Sequence, residues 1–363
     1  MSVRVPFNAL TPGEDAAAVR AAIDRVVAGG WFILGPELDV FESEFAAASR
    51  VPHAVGVGTG TDAIALILRA LDIGPGDEVI TAPLSAAFSA LAVMMTGARP
   101  VFTDIDPERL TLDPRRVEAA ITRRTRALLP VHLYGQAADM RPLEAIASKH
   151  HLALIEDAAQ AHLGTADSRP IGTIGVAAAT SFYPTKNLGA LGDGGAVLTR
   201  DTQLAARIRR LRNGGQSSRY HHDEPGVNSR LDELQAAVLR ARLPLLQQWT
   251  EKRRAIAARY RSALTNGALR VPREFDAGHV YHLFPVLTDA RDAFQAHMLD
   301  RGIQTLIHYP VAIPRQPALA KTSPAMCPVA DQVCSQVVSL PMYPGLADSA
   351  VKAVVEAAAA FRP

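Results

Sequence analysis

"HAVGVGTGTDAIALILRAL" occupies residues 53–71. Its first part, "HAVGVG" (53–58), reads as a strand, and "TDAIALILRAL" (61–71) reads as a helix. A glycine-rich turn joins them. Strand, glycine turn and helix start together form a ready anion site, because free backbone N–H groups and the helix dipole face a phosphate. Thr59 or Thr61 can add a hydroxyl. No lysine follows the glycines, so the turn is neither a P-loop nor a full dinucleotide fingerprint. Alone, it is equally a tight turn with a threonine cap.

The same alternation continues outward. "DEVITA" (77–82) precedes "SAAFSALAVMMTG", "RPVFTDI" (99–105) precedes the helix-like "DPRRVEAAIT" (113–122), and "RALLPV" (126–131) precedes "DMRPLEAIASKH" (139–150). In the last of these Asp139 is placed to cap the helix and Pro142 falls in its first turn. "LALIED" (152–157) is again a strand. Such βαβα order predicts an α/β fold with a mostly parallel sheet sandwiched by helices. Pro130 belongs near the end of its strand, where a missing N–H does no harm.

From about residue 201 long arginine-rich helices take over, with Pro244 expected to break or kink the second. A strand at 279–287, a helix, a proline-rich loop (309–328) and a closing helix near 348–360 follow. The boundary is expected within 245–265, which gives a large domain of residues 1–250, including the N-terminal segment, and a smaller α+β domain of residues 251–363.

With 363 residues, 48% hydrophobic and 20% charged, the chain has ample core, and a net charge of +2 offers no basic footprint for nucleic acid. The start turns polar too soon for a signal peptide, and "SAAFSALAVMM" is too short to span a membrane. Cys327 and Cys334 are too few for a disulfide framework and wrongly spaced for zinc. A cytoplasmic protein without membrane, nucleic-acid or metal partners is expected. In "YHHDE" (220–224) neighbouring histidines point apart, so a solvated loop is favoured over metal ligation.

Two further segments carry chemistry. "IEDAAQAH" (155–162) follows a strand, and α/β sheets hold ligands at the C-terminal ends of parallel strands. Glu156 or Asp157 could partner a positive group there, with Gln160 a turn further on; acidic residues opening a helix would look the same. In "SFYPTKNLGALGDGGAV" (181–197) Lys186 is one of only five lysines among 38 basic residues, 29 positions beyond Asp157. Arginine would supply charge; a lysine, once its proton is lost, can condense with an aldehyde. A surface turn is the ordinary alternative. Phosphate cradle, strand-end acid and amine, taken together, are what pyridoxal phosphate needs.

The lysine segment resembles, almost letter for letter, that of the DegT/StrS-type sugar aminotransferases, which are fold type I pyridoxal-phosphate enzymes. "GGWFILGPELDVFESEFA", "DIGPGDEVI", "PVFTDIDP", "PVHLYGQAADM", "EDAAQAH", "RLRNGGQ", "GVNSRLDELQAAVL", "IHYP" and "SLPMYP" extend the likeness, in the family's order, over nearly the whole chain. The resemblance implies that Lys186 forms the Schiff base and shuttles protons, that Asp157 pairs with the pyridine nitrogen, and that Gln160 bonds the 3-hydroxyl. By the same resemblance Gly60, Thr61 and Ser181 hold the phosphate, while Asn228 reaches it from the other subunit of a homodimer. Arg230, His308 and Tyr309 stand where the family contacts its nucleotide-sugar. The family's ring-stacking aromatic is replaced by Ala86, which leaves either Phe88, two residues on, to take that role or the ring to pack against something smaller, and Thr59 replaces a commoner serine.

The implied reaction is ping-pong transamination through pyridoxamine phosphate, from an amino acid, expected to be L-glutamate, to a nucleotide-linked keto-sugar. The alternatives are a keto-cyclitol acceptor and a non-catalytic regulator that keeps the cofactor fold. Related dehydratases carry histidine where this chain has Lys186, which argues against that activity, and the incomplete glycine fingerprint argues against a nicotinamide dehydrogenase.

Overall fold

The computed structural model describes residues 3–265, 267–321 and 324–363; two positions of the proline-rich loop fall outside that set. Seven strands form the central sheet in the spatial order His53–Val57, Gly195–Thr199, Ala177–Ser181, Ala153–Asp157, Thr125–Leu129, Glu78–Thr81 and Arg99–Phe102. The Gly195–Thr199 strand runs antiparallel to both its neighbours, and the other pairings are parallel. This is the mostly parallel α/β sheet expected from the alternation.

Because successive strand residues face opposite sides, the sheet divides its side chains between two cores. Ile80, Leu128, Leu154 and Ala178 enter one, with Phe41, Phe45 and Phe182. Val79, Ala127, Leu129, Ile155, Ala177 and Ala179 enter the other, beneath the helices Gly60–Ala70 and Thr202–Leu211. Burial on both faces explains why these strands read as apolar runs rather than alternating ones.

A third core gathers Tyr260, Phe284, Phe294 and Phe361 around the two-stranded sheet Phe284–Leu287 and Val337–Leu340, and Val5 from the start of the chain joins it. Pro244 lies in a 3-10 turn, Leu243–Leu245, between the helices Glu233–Arg242 and Leu246–Ala263. Pro130 follows directly on the Thr125–Leu129 strand.

Three local expectations need correction. The stretch 113–122 forms only the short helix Pro114–Val117 and a 3-10 turn Glu118–Ala120; Asp113 caps it by accepting from the Arg115 N–H at 3.0 Å. Asp139 precedes the helix Met140–Lys149 but makes no side-chain cap bond. Strand pairing in "HVYHLFPVL" is confined to Phe284–Leu287. The preceding residues instead bond the large sheet's loops, as when the Val280 N–H donates to the Gly135 carbonyl at 2.9 Å.

Two buried ions fasten the N-terminal segment. The Glu233 carboxylate accepts from the N–H groups of Gly35, Glu37 and Leu38 at 2.9, 2.8 and 3.1 Å, an anion at the N-terminus of helix Pro36–Ala48. Arg242 bonds Asp15 at 2.7 Å and the carbonyl of Gly189 at 2.5 Å, tying that segment to the loop that carries Lys186. Among the described residues no helix is long and apolar enough to cross a membrane.

Candidate active site

The C-terminal ends of the parallel strands open onto a cavity of about 820 Å³. On one wall, Thr59 caps helix Gly60–Ala70 by accepting from the Asp62 N–H at 3.0 Å. The first-turn N–H groups of Gly60 and Thr61 have no preceding turn to bond, which is the property that draws anions. Glycine is required here by space. A Cβ on Gly195 would lie 2.4 Å from the Thr59 carbonyl carbon, and one on Gly60 would lie 2.8 Å from the Ser181 Cβ. The turn therefore rests directly on two strand ends, and Thr59, Gly60, Thr61 and Ser181 line the cavity together.

Asp157 ends its strand on the cavity side, 5% exposed. One of its oxygens accepts from the Ala159 N–H at 3.1 Å, the other from the Ser89 hydroxyl at 2.6 Å. Glu156, one residue earlier, necessarily faces the opposite core. There it pairs with His132 at 3.2 Å and accepts from Gly172, Ile174 and Gly175 at 3.1, 3.0 and 2.9 Å. Burial would raise its carboxyl, but His132 and those amides outweigh burial and hold it below the usual value. Strand alternation thus separates the two acids the sequence left open: Glu156 is a structural knot, and Asp157 faces the site.

Lys186 lies in the loop between the Ala177–Ser181 and Gly195–Thr199 strands, its N–H donating to the Tyr183 carbonyl at 2.8 Å. Its amine faces the cavity. Burial pushes it down to about 8, with the Asp157 carboxylate opposing the shift. The amine therefore gives up its proton far more readily than an ordinary lysine, as a nucleophilic lysine needs.

The remaining wall comes from Gln160 and from the C-terminal part of the chain. Gln160 accepts from the Tyr134 N–H at 2.6 Å and donates to the Tyr309 hydroxyl at 3.1 Å. Tyr134 in turn donates to the His308 carbonyl at 2.5 Å, and the His308 ring contacts the Ser339 hydroxyl at 3.0 Å. Burial, and then the charge of Lys186, press His308 down to about 4, so its ring is neutral. Burial likewise raises the Tyr309 hydroxyl to about 12.

Of the residues singled out in the sequence, Lys186, Asp157, Gln160, Gly60, Thr61, Ser181, Phe88, His308 and Tyr309 all line this one cavity. Phe88 does so 62% exposed. Asn228 and Arg230 do not line it: Asn228 is exposed, and Arg230 bonds the Asn213 side chain at 2.9 Å. Trp31 and Phe32 are also outside it, at 59% and 47% exposure. His221 turns to Asp223 and His222 to the Gly214 carbonyl, so the pair does point apart.

Sequence reasoning missed Ser89 and His282, which also line the cavity. Ser89 could have been noticed as a hydroxyl within the apolar run 88–95; His282 had no local signal. The donor set fits pyridoxal phosphate: an amide-rich turn held open by glycines, a buried carboxylate, and a lysine of lowered basicity facing it.

Comparison with known proteins agrees with this geometry. Residues 14–359 match the model of the DegT/DnrJ/EryC1/StrS aminotransferase family. The dTDP-3-amino-3,4,6-trideoxy-alpha-D-glucose transaminase of Streptomyces venezuelae is 49% identical over 360 residues, covering 98% of this chain and 95% of that protein. The UDP-N-acetyl-3-dehydro-alpha-D-glucosamine 3-aminotransferase of Acidithiobacillus ferrooxidans is 43% identical over 335 residues, covering 92% of this chain and 90% of that protein. The crystal structure of S. venezuelae DesV with a ketimine intermediate superposes with a TM-score of 0.97 at 48% identity, over 100% of both chains. That of NtdA from Bacillus subtilis with bound cofactor PMP does so with a TM-score of 0.92 at 30% identity, over 99% of this chain and 85% of that one. The chain belongs to the DegT/DnrJ/EryC1/StrS aminotransferase family and is a transaminase that uses pyridoxal phosphate.

Proposed function

We propose that this transaminase takes an amino group from L-glutamate and delivers it to C3 of a nucleotide-linked 3-keto-sugar, working in the cytoplasm as a homodimer. The observation that carries the chemistry is Lys186 and Asp157 facing one cavity beside an anion-binding turn. The choice of C3 is supported by the relatives, since both transaminases described above are named for a 3-amino or 3-dehydro sugar although their nucleotides differ.

Pyridoxal phosphate, when bound, supplies the electron sink through which an amine is taken from one substrate and given to the next. Gly60, Thr61 and Ser181 hold its phosphate. Asp157 keeps its ring nitrogen protonated, Gln160 meets its 3-hydroxyl through the amide nitrogen, and Phe88 covers the ring. Lys186 would hold the aldehyde carbon and would serve as the general base and general acid for the protons moved, a role its lowered basicity suits. His308 and Tyr309 receive the sugar.

The second copy enters through a charge argument. The cofactor phosphate, the donor carboxylates and a sugar diphosphate are all anions, yet among the described residues Lys186 is the only lysine or arginine lining the cavity. Asn228 and Arg230, turned away from their own chain's cavity, are supplied to the partner's. On the same reading the large domain ends at residue 250, in the helix that leads into the C-terminal core.

The test is a half-reaction screen. Protein converted to the pyridoxamine form with L-glutamate is mixed with dTDP- and UDP-linked 3-keto and 4-keto sugars and with a keto-cyclitol. Return of aldehyde absorbance with the 3-keto sugars supports the reading; return only with the 4-keto sugars or the cyclitol refutes it.

A further inference from the structure

The geometry points to Ser89 as the residue that positions Asp157 for its work on the cofactor. This rests on the reading above that Asp157 meets the ring nitrogen, and adds a residue to it. Ser89 is the second residue of helix Phe88–Met95, 3% exposed, and sits where a serine hydroxyl could turn back on its own helix. It does not. Its hydrogen goes across to Asp157 Oδ2 at 2.6 Å, within the range of short bonds to a charged acceptor.

The rest of the carboxylate is equally constrained. Oδ1 accepts from the Ala159 N–H at 3.1 Å, two residues on. With one donor on each oxygen the plane of the carboxylate is fixed, and both oxygens are engaged as acceptors, the role of the ionised form. Each oxygen keeps a lone pair for a donor arriving from the cavity. The two donors differ in origin. Ala159 belongs to the turn after the strand and is present whatever lies nearby, whereas Ser89 reaches in from a separate helix, 68 positions away in sequence.

Ser89 also follows Phe88 directly, and both line the cavity. One short helix start therefore supplies a ring cover with one residue and a lock on the counter-carboxylate with the next. Hydrogen bonds that orient metal ligands from behind change metal affinity by ~10-fold or more when removed, and an effect of that order is expected for a carboxylate held to a cofactor ring.

The experiment uses the holoenzyme with pyridoxal phosphate labelled with nitrogen-15 in its ring, comparing wild type, Ser89→Ala, Ser89→Thr and Asp157→Asn. The readouts are the ring-nitrogen chemical shift as a function of pH and the cofactor dissociation constant. In wild type the nitrogen is expected to remain protonated well above neutral pH. Ser89→Ala should shift its deprotonation to lower pH and raise the dissociation constant about 10-fold, and Ser89→Thr should restore both. A wild-type titration curve and affinity in Ser89→Ala would overturn the proposal, provided Asp157→Asn loses the protonated signal. If Asp157→Asn also leaves the signal unchanged, the assignment of Asp157 itself fails, and the Ser89 proposal falls with it.

Discussion

The Nδ1 atom of His282 lies 3.1 Å from the side-chain oxygen of Asn187, the residue next to Lys186. The Asn187 amide nitrogen is already committed to the Val280 carbonyl at 3.0 Å, so its oxygen must be the acceptor and His282 Nδ1 the donor. That assignment leaves Nε2 with a lone pair on a ring that lines the cavity. Arg253 holds the same segment from behind, donating to the carbonyls of Tyr281, His282 and Met342 at 3.2, 3.2 and 2.9 Å. Asn187→Ala would strand a buried N–H and a buried carbonyl, at a cost of about 2 kcal/mol. Urea denaturation of the apoprotein should show that loss, and Asn187→Asp, which sets a buried carboxylate oxygen against the Val280 carbonyl, should lose at least as much.

Stability should fall on mild acidification because of buried histidines. Burial holds His162 and His279 at about 3, His308 at about 4, and His282 well below its ordinary value. In the unfolded chain each titrates near 6.5. Below that pH the unfolded state binds protons that the folded state refuses, so stability present above about 6.5 is lost as pH falls towards 4. Thermal melts of the apoprotein between pH 7.5 and 5 should show the decline before carboxylates contribute. A melting temperature flat over that range would contradict the assignment.

Capture of pyridoxal phosphate by the apoprotein should follow the neutral fraction of Lys186. The rate is expected to rise with pH through a midpoint of about 8, and not near the 10.5 of an ordinary lysine. Borohydride reduction followed by mass spectrometry at each pH gives the curve. Lys186→Ala should still bind the cofactor, without covalent capture and without turnover.

Gly195→Ala tests the phosphate turn. The added carbon would sit 2.4 Å from backbone of Thr59, where no flexible side chain can yield. Overpacking of that kind costs about 1–3 kcal/mol, and here the displaced atoms belong to the anion-binding turn. Cofactor affinity should therefore drop more than stability does. Dialysis against phosphate-free buffer, followed by absorbance, measures the first, and thermal melting measures the second.

Arg242 should prove expensive to remove. It is buried with Asp15, and Arg242→Ala would leave that carboxylate without its partner, a loss of about 3–5 kcal/mol. The double variant Arg242→Met with Asp15→Leu removes both charges and should recover much of the stability. Because Arg242 also holds the Gly189 carbonyl, the double variant should remain slower than wild type in cofactor capture.

Five of the seven sheet strands were legible in the sequence because each is a short apolar run, most of them followed by a helix; Ala177–Ser181 and Gly195–Thr199, which flank the lysine loop with no helix between them, were not. The choice between Glu156 and Asp157 could not be made from strand period, which says only that they part company, not which face holds the ligand; only the family resemblance pointed to Asp157. Lys186 stood out by composition. The roles of Asn187 and His282 were invisible, and Ser89 showed only as a hydroxyl in an apolar run, for a different reason: their partners lie 95 and 68 positions away, and side-chain hydrogen bonds of that range leave no local pattern. The over-extended strand at 279–287 has a similar origin, since its first residues spend their backbone bonds on the 134–135 turn and on Asn187.

The reversed direction of the Gly195–Thr199 strand has a consequence for how the enzyme could be re-engineered. It makes the lysine-bearing loop a return between two adjacent strands, bonded at both ends by the Phe182 N–H to the Gly194 carbonyl at 2.8 Å and the Ala190 N–H to the Phe182 carbonyl at 2.7 Å. A loop clasped in that way cannot swing aside as a door, nor absorb inserted residues. Library diversity aimed at new acceptors belongs instead on the part of the cavity lining that comes from the C-terminal region, around Gln304 and Leu306.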